Sequence, residues 1–299
     1  MIEVIISIPT HPVFSCSFYR QRKINSMRYF TMALAALLLT GCFSSRPVRH
    51  SVHQAQRKAA ALPRKVQTTP SSAPVEAPRV TSQTVSGTRF DGIAFDARSH
   101  RLVVADQANG PGSEFADSAA AAKSVGGLAA INAGFFTPEG QPLGQIIAHG
   151  KARGAWNNAS SLGNGLWFET TDGNSAIARR RELDPAVAIK ELIQAGPLLV
   201  ENRHAVGGLE ATKISMRSII LWDGGSRWWI GHSSPCSLAA LGQSLTAGQP
   251  AGWPMRHALN LDGGRSSDLW VSGSIAGGPV LIRPPWNKPV RNFLVLVRR

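Results

Sequence analysis

Cysteine is scarce in this chain of 299 residues: Cys16, Cys42 and Cys236 are the full set. Two of the three lie in the first 42 residues, which leaves the remainder with one thiol, no internal disulfide and no CxxC metal motif. His149, His204, His232 and His257 are far apart and form no HxH or HxxxH pair, so zinc-ligand spacing is missing. An Asp-rich calcium loop is missing too. So are a Walker loop, a dinucleotide fingerprint and a nucleophile elbow. No metal and no cofactor are expected. Acidic residues are also few, 18 against 32 Lys and Arg, giving a formal charge of +14. There are no internal repeats, and the apolar run 29–39 is too short to cross a bilayer as a helix.

That short run has another use. Met27-Arg28 precedes Tyr29 to Leu39, and Leu39-Thr40-Gly41-Cys42 follows. A basic start, a short apolar centre and small residues before a cut describe an export signal. The last four residues resemble the bacterial lipoprotein box, which implies that Cys42 becomes the acylated N-terminus. Residues 1–26 read as an upstream extension, with Met27 the better start, and 27–41 as the signal peptide.

Residues 42–89 read as the acylated cysteine and a disordered tether. Pro47, Pro63, Pro70, Pro74 and Pro78 alternate with Ser, Thr, Gln and Ala, and large apolar side chains are almost absent. Such a segment buries too little surface to offset its chain entropy. Positions 43–89 hold eight basic residues against Glu76 alone, a net of +7, while 90–299 hold 20 basic and 16 acidic residues, a net of +4. The basic excess belongs mostly to the leader and tether. It suits anionic lipid headgroups beside an anchor, and the export signal argues against nucleic acid. The expected location is the periplasmic face of the envelope, with the outer membrane favoured over the inner.

From residue 90 onward the chain is long enough for one large domain. Runs at 89–95, 101–105, 128–132, 143–148, 165–169, 175–179, 197–200, 218–222, 227–231, 257–261, 268–272 and 292–297 read as strands. Asp172-Gly173 and Asp223-Gly224 mark hairpins. Helices are expected at 115–125, at 186–194 after Asp184-Pro185, and from Ser234-Pro235 to about Ala247. Many strands in hairpin-like order with about three helices predict an α+β fold, a single domain with a mixed, largely antiparallel sheet.

The most informative stretch is Ala258-Leu259-Asn260-Leu261-Asp262-Gly263-Gly264-Arg265-Ser266-Ser267. Strand alternation places Asn260 and Asp262 on one side. Two glycines then allow a turn whose amides can face an anion. The same Asp-Gly between apolar runs is also a hairpin signal. Three other segments follow strand-like runs: Asn132-Ala133-Gly134-Phe135-Phe136, Gln194-Ala195-Gly196-Pro197 and Ser215-Met216-Arg217-Ser218.

In that order the four segments resemble the phosphodiester glycosidase family, whose pattern runs N-G-G-F-F, Q-x-G-P-x-L-V, R-[TS] and N-L-D-G-G-x-S-S. The resemblance covers about Phe90 to the C-terminus. It departs at Ala133, where glycine is usual, at Arg265, where glycine is frequent, and mildly at Ser218, where threonine is common. It implies a hydrolase that splits a sugar-1-phosphodiester, here in a cell-envelope or exopolysaccharide glycan.

A phosphate ester leaves a sugar more readily than an alcohol does, so the general acid of ordinary glycoside cleavage is less needed. Phosphate recognition and one carboxylate near the anomeric carbon are needed. Arg217 suits the phosphate, because a guanidinium binds it in a planar fork. Asp262 suits the carboxylate, as base, nucleophile or charge stabiliser. Asn132 and Gln194 complete the candidate catalytic set by orienting sugar hydroxyls or water. Asn260, Gly263, Gly264, Arg265, Ser266, Ser267, Gly134 and Phe136 form the candidate substrate-binding set, with the turn's amides and hydroxyls as neutral donors.

Each of these residues also has a plainer use in a turn, a cap or the core. Trp228, Trp229 and Trp270 suit packing more than a carbohydrate platform. Glu139, Asp223 and Asp268 are candidates for a second carboxylate. The alternative function is a non-catalytic envelope lipoprotein that binds phosphorylated glycans or peptidoglycan with the same pocket.

Overall fold

The computed structural model describes residues 74–299. The expected export signal, the expected lipid site at Cys42 and the expected tether up to residue 73 lie outside the described residues. The chain begins with strands β1 (Arg79–Val85), β2 (Thr88–Asp96) and β3 (His100–Asp106), then helix α1 (Ser118–Ser124). Next come β4 (Ala129–Asn132), β5 (Ile146–Ala148), β6 (Lys151–Arg153), β7 (Gly165–Thr170), β8 (Ser175–Arg179) and β9 (Ile189–Ala195). After these follow β10 (Leu198–Glu201), β11 (His204–Ala205), β12 (Ser215–Trp222), β13 (Arg227–Cys236) and helix α2 (Leu238–Ala247). The final elements are β14 (His257–Asn260), β15 (Leu269–Val271), β16 (Val280–Ile282) and β17 (Asn292–Arg298).

The strands form three sheets. The first has seven strands in the order β1-β2-β13-β12-β14-β10-β11. The second is β16-β15-β4-β17-β3, and the third is β6-β5-β9-β7-β8. Every ladder between these strands is antiparallel. The result is a β-rich α+β body with two α-helices.

One core cluster draws on all three sheets, including Ile131 of β4, Ile193 of β9, Ile220 of β12 and Leu259 of β14. A second cluster lies under α2 and takes Ile219, Leu221, Ala258 and Leu241. A third lies under α1, with Ala121, Phe293 and Val295. Successive residues of β12 therefore enter different cores, which is why Ile219-Ile220-Leu221-Trp222 is a continuous apolar run. Asp117 caps α1 by accepting from the Ala120 amide at 2.8 Å, and Ser237 caps α2 through the Ala240 amide at 3.2 Å.

Three expectations are corrected. The tether does not run to residue 89: β1 starts at Arg79 and pairs with β2 along its whole length. Ser86 and Gly87 take positive φ between them, the two-residue hairpin turn that glycine permits. Residues 186–194 are not a helix. Asp184 does accept from the Ala186 amide at 2.9 Å, but one turn later the chain becomes β9, the central strand of the third sheet. Leu192 and Ile193 are both fully buried there, and so is Glu191, so packing overrides a local cap signal. Finally, Asp262-Gly263 is not a hairpin: β14 belongs to the first sheet and β15 to the second.

Candidate active site

That last correction locates the site. Three of the four motifs are crossings between sheets. Asn132 to Phe136 leaves β4 of the second sheet for β5 of the third. Gln194 to Pro197 leaves β9 of the third for β10 of the first. Asn260 to Ser267 leaves β14 of the first for β15 of the second. The fourth motif, on β12, lies alongside the last of these crossings.

Hydrogen bonds tie the crossings together. The Asp262 amide donates to the Ala133 carbonyl at 2.8 Å, and Asn132 Nδ2 donates to the Asp262 carbonyl. Ser218 Oγ donates to Asn132 Oδ1 at 2.7 Å, and the Asp268 amide donates to the same oxygen at 3.1 Å. A hydroxyl is what position 218 contributes, and serine supplies it as threonine would. Asn260 Nδ2 donates to the Gly196 carbonyl at 2.9 Å, which joins the second crossing to the third.

Asp262 stands where these bonds meet. Burial pushes its carboxyl up to about 6, although a Ser266 hydroxyl bond, the Gly263 amide and the charges of Lys288 and Lys213 pull the other way. The Gly263 amide donates to Asp262 Oδ1 at 2.9 Å. Two of the turn's expected phosphate donors therefore hold the carboxylate itself. Close packing explains the glycine: a Cβ on Gly263 would lie 2.7 Å from the Met216 carbonyl oxygen. Ser266 and Ser267 use their amides within the turn, donating to the Gly263 and Gly264 carbonyls. Ser267 Oγ and Asn260 Oδ1 are buried without a hydrogen-bond partner.

Arg217 belongs to the same corner. The β12–β14 ladder pairs Ile219 with Asn260, and the Leu261 amide donates to the Ser218 carbonyl at 2.8 Å. Two residues further along the same register, Arg217 stands opposite Asp262, and its Cα would be 3.4 Å from a Cβ on Gly263. The guanidinium is nearly buried. Its Nε donates to the Cys236 carbonyl at 3.2 Å and its Nη2 to the Lys213 carbonyl at 2.6 Å. Among the described residues no ion pair joins it to Asp262. Burial lowers its proton affinity from the usual guanidinium range. Of the donors expected to grip phosphate, two hold main chain, and Nη1 remains.

Gln194 and Asn132 are engaged more fully. Gln194 Oε1 accepts from the Gln145 and Asn157 amides, both at 2.9 Å. Its Nε2 donates to the Asn157 and Gly163 carbonyls at 2.8 and 2.7 Å. Every hydrogen-bonding position of the side chain is spent on backbone, so Gln194 shapes the loop around 157–163. Asn132 is fully buried and acts likewise, on Asp262 and Asp268.

The remaining candidates separate clearly. The Gly134 amide donates to Asn292 Oδ1 at 2.6 Å and is structural. Phe136 is half-buried, with Lys288 Nζ 5.6 Å from its ring centroid. Arg265 is exposed, and its Nε donates to the Trp286 carbonyl at 3.1 Å. Asp268 accepts from the Ser118 amide and hydroxyl at the start of α1. Asp223 closes its hairpin through the Gly225 amide and Arg227. Glu139 lies exposed on a loop. Trp228 and Trp229 are core. Cys236 is buried, and burial raises its thiol, which makes it a poor nucleophile.

Sequence reasoning missed Lys213 and Lys288. Lys213 lies two residues before Ser215, a proximity that offered a signal. Lys288 lies in a proline-rich loop that no motif marks. A groove of about 280 Å³ lies elsewhere, lined in part by Asp106, Glu114, His149 and Arg153. Asp106 is already held there by Arg291 and Arg153.

The three-sheet body is a known architecture. It is similar to the zebrafish N-acetylglucosamine-1-phosphodiester alpha-N-acetylglucosaminidase catalytic domain, auto-inhibited by its pro-peptide. The two share 21% identity over 77% of this chain and 85% of that one, with a TM-score of 0.53. A hypothetical protein from Synechocystis is 17% identical over 77% of this chain and 64% of its own, with a TM-score of 0.51. No curated protein matches the chain. The sequence profile of the phosphodiester glycosidase family matches residues 125–297, more than half of the chain. The protein belongs to that family.

Proposed function

We propose that this protein is a hydrolase that cleaves the bond between a sugar and a phosphodiester in an envelope or exopolysaccharide glycan. The observation that carries this reading is the placement of Asp262. It is a half-buried carboxyl with its proton affinity raised to about 6, the charges of Lys213 and Lys288 act on it, and it lies in register with Arg217. A group titrating near neutrality suits proton transfer. Above pH 6 it accepts a proton from water attacking the anomeric carbon, while the departing phosphate meets the lysines and Arg217 Nη1. The dedicated acid of ordinary glycosidases is not required for so good a leaving group. Asp268 and Asp223 are engaged elsewhere, by Ser118 and by Gly225 and Arg227, and Glu139 is exposed on a loop.

The leader and the box ending at Cys42 support a lipid-anchored protein at the periplasmic face. The proposal is tested by incubating the purified protein with a sugar-1-phosphodiester and measuring free sugar. Release that stops in Asp262→Asn is the expected result. Binding of the phosphosugar with no release by the wild type would make the protein a glycan-binding lipoprotein instead.

A further inference from the structure

Ile214 and Trp286 are 64% and 63% accessible, among the most exposed large apolar side chains of the described residues. They lie 72 positions apart in sequence, yet both adjoin the turn that follows Asp262. Ser215, next to Ile214, has its Oγ 2.9 Å from where a Cβ on Gly264 would stand. Arg265, next to Gly264, donates from Nε to the Trp286 carbonyl at 3.1 Å.

The loop bearing Trp286 is fixed to that turn. Asn287 Nδ2 donates to the Arg265 and Ser267 carbonyls at 3.0 and 2.8 Å, and the Lys288 amide donates to the Arg265 carbonyl at 3.1 Å. Arg283 Nη2 holds Asn287 Oδ1 at 2.7 Å, and its Nη1 reaches Asp117 at 3.2 Å. Pro284, Pro285 and Pro289 restrict the loop further. An indole kept in water by a rigid, bonded support is a maintained surface feature, since nothing in the loop's own bonding requires the ring to be there.

Each exposed apolar side chain has a cation beside it. Lys213 precedes Ile214, and Lys288 lies two residues after Trp286, with Arg265 between the two patches. All three cationic side chains belong to exposed residues. An indole and a branched aliphatic interleaved with lysine and arginine is the composition that seats a protein in the headgroup layer of an anionic bilayer. We propose that this rim docks the mouth of the Asp262 site onto an anionic lipid surface, so that Ile214 and Trp286 enter the interface and the cations meet phosphate headgroups. An anchor at Cys42 leaves residues 43–73 before the described body, a reach of roughly 100 Å when extended, enough for the rim to meet the bilayer that holds the anchor. The inference concerns where the site works and does not depend on turnover.

The test uses the chain from residue 42 with Cys42→Ser, so that no acyl group contributes, and vesicles of phosphatidylglycerol and phosphatidylethanolamine. Partitioning is compared between this parent and the same protein carrying Ile214→Ser with Trp286→Ser. The basic tether is common to both and cancels. The expected result is a loss of partitioning of about tenfold in the rim variant. A blue shift of tryptophan emission in the parent on vesicle addition should be reduced in Trp286→Ser alone. Equal partitioning of parent and variant overturns the proposal. So does an unchanged vesicle affinity with weakened binding of a soluble phosphosugar, which would assign the rim to glycan contact.

Discussion

The side-chain amide of Asn132 donates to the main-chain carbonyl of Asp262, 130 residues further along the chain. The neighbouring Ala133 carbonyl accepts from the Asp262 amide. Both peptide groups of Asp262 are thus held by one crossing, and its carboxylate is left to the Gly263 amide and Ser266. Backbone fixed on both sides holds the carboxyl in a desolvated turn, and that desolvation raises its proton affinity.

Asp262→Asn should stabilise the protein while abolishing activity. A carboxyl raised to about 6 in the folded state, from 3.8 unfolded, carries no penalty when both states are protonated. The penalty grows as pH rises between about 4 and 6 and is complete above 6, reaching at most about 3 kcal/mol. Thermal melts at pH 8 should therefore favour the variant, and melts at pH 3.5 should show little difference. A variant less stable than wild type at pH 8 would contradict the burial argument.

Lys213→Ala and Lys288→Ala should each move the acid limb of the activity profile upward. Both lysines lower the Asp262 carboxyl. Both are exposed, so each shift is expected to be a few tenths of a pH unit, smaller in high salt. Rates measured from pH 4.5 to 8 at two ionic strengths read this directly.

Gln194→Ala should cost stability first. Four bonds to backbone are lost and several buried peptide groups are left without partners, a loss of about 2–4 kcal/mol. Urea unfolding reads this loss. Glu at the same position cannot donate twice and should not rescue it. A stable Gln194→Ala protein with impaired turnover alone would assign the residue to the catalytic set.

His257→Phe should flatten the acid side of the stability curve. Burial, with Arg256 adding to it, drops this imidazole to about 4, and its Nδ1 has no partner. The unfolded chain binds the proton near 6.5, so native stability falls as pH drops from 6.5 to 4, by about 1.4 kcal/mol per pH unit. Phenylalanine keeps the stacking on Trp222 at 5.7 Å and removes the proton. Melts from pH 4 to 7 test the slope. His232, at about 3, continues the same trend in the variant.

Much of this was legible in the chain. Asp172-Gly173 and Asp223-Gly224 announce their hairpins because a tight turn demands those residues locally. The four motifs announce a shared corner. The sequence could not show which side-chain atoms of that corner are already spent. Asn132, Gln194 and Arg217 carry the right groups for a ligand, but tertiary carbonyls and amides claim them. Residues 186–194 failed for a related reason, since a cap is local while the slot for β9 is made by β5 and β7. Lys288 was invisible because its place depends on Asn287 gripping the Arg265–Ser267 turn.

Three crossings join three sheets in a closed circuit, from second to third, third to first and first back to second. No subset of sheets carries the complete candidate corner, so the proposed function requires the domain whole. A chain cut anywhere between residues 132 and 268 yields two pieces, each missing a wall that the other holds. Activity recovered on mixing such pieces would report full reassembly of the body.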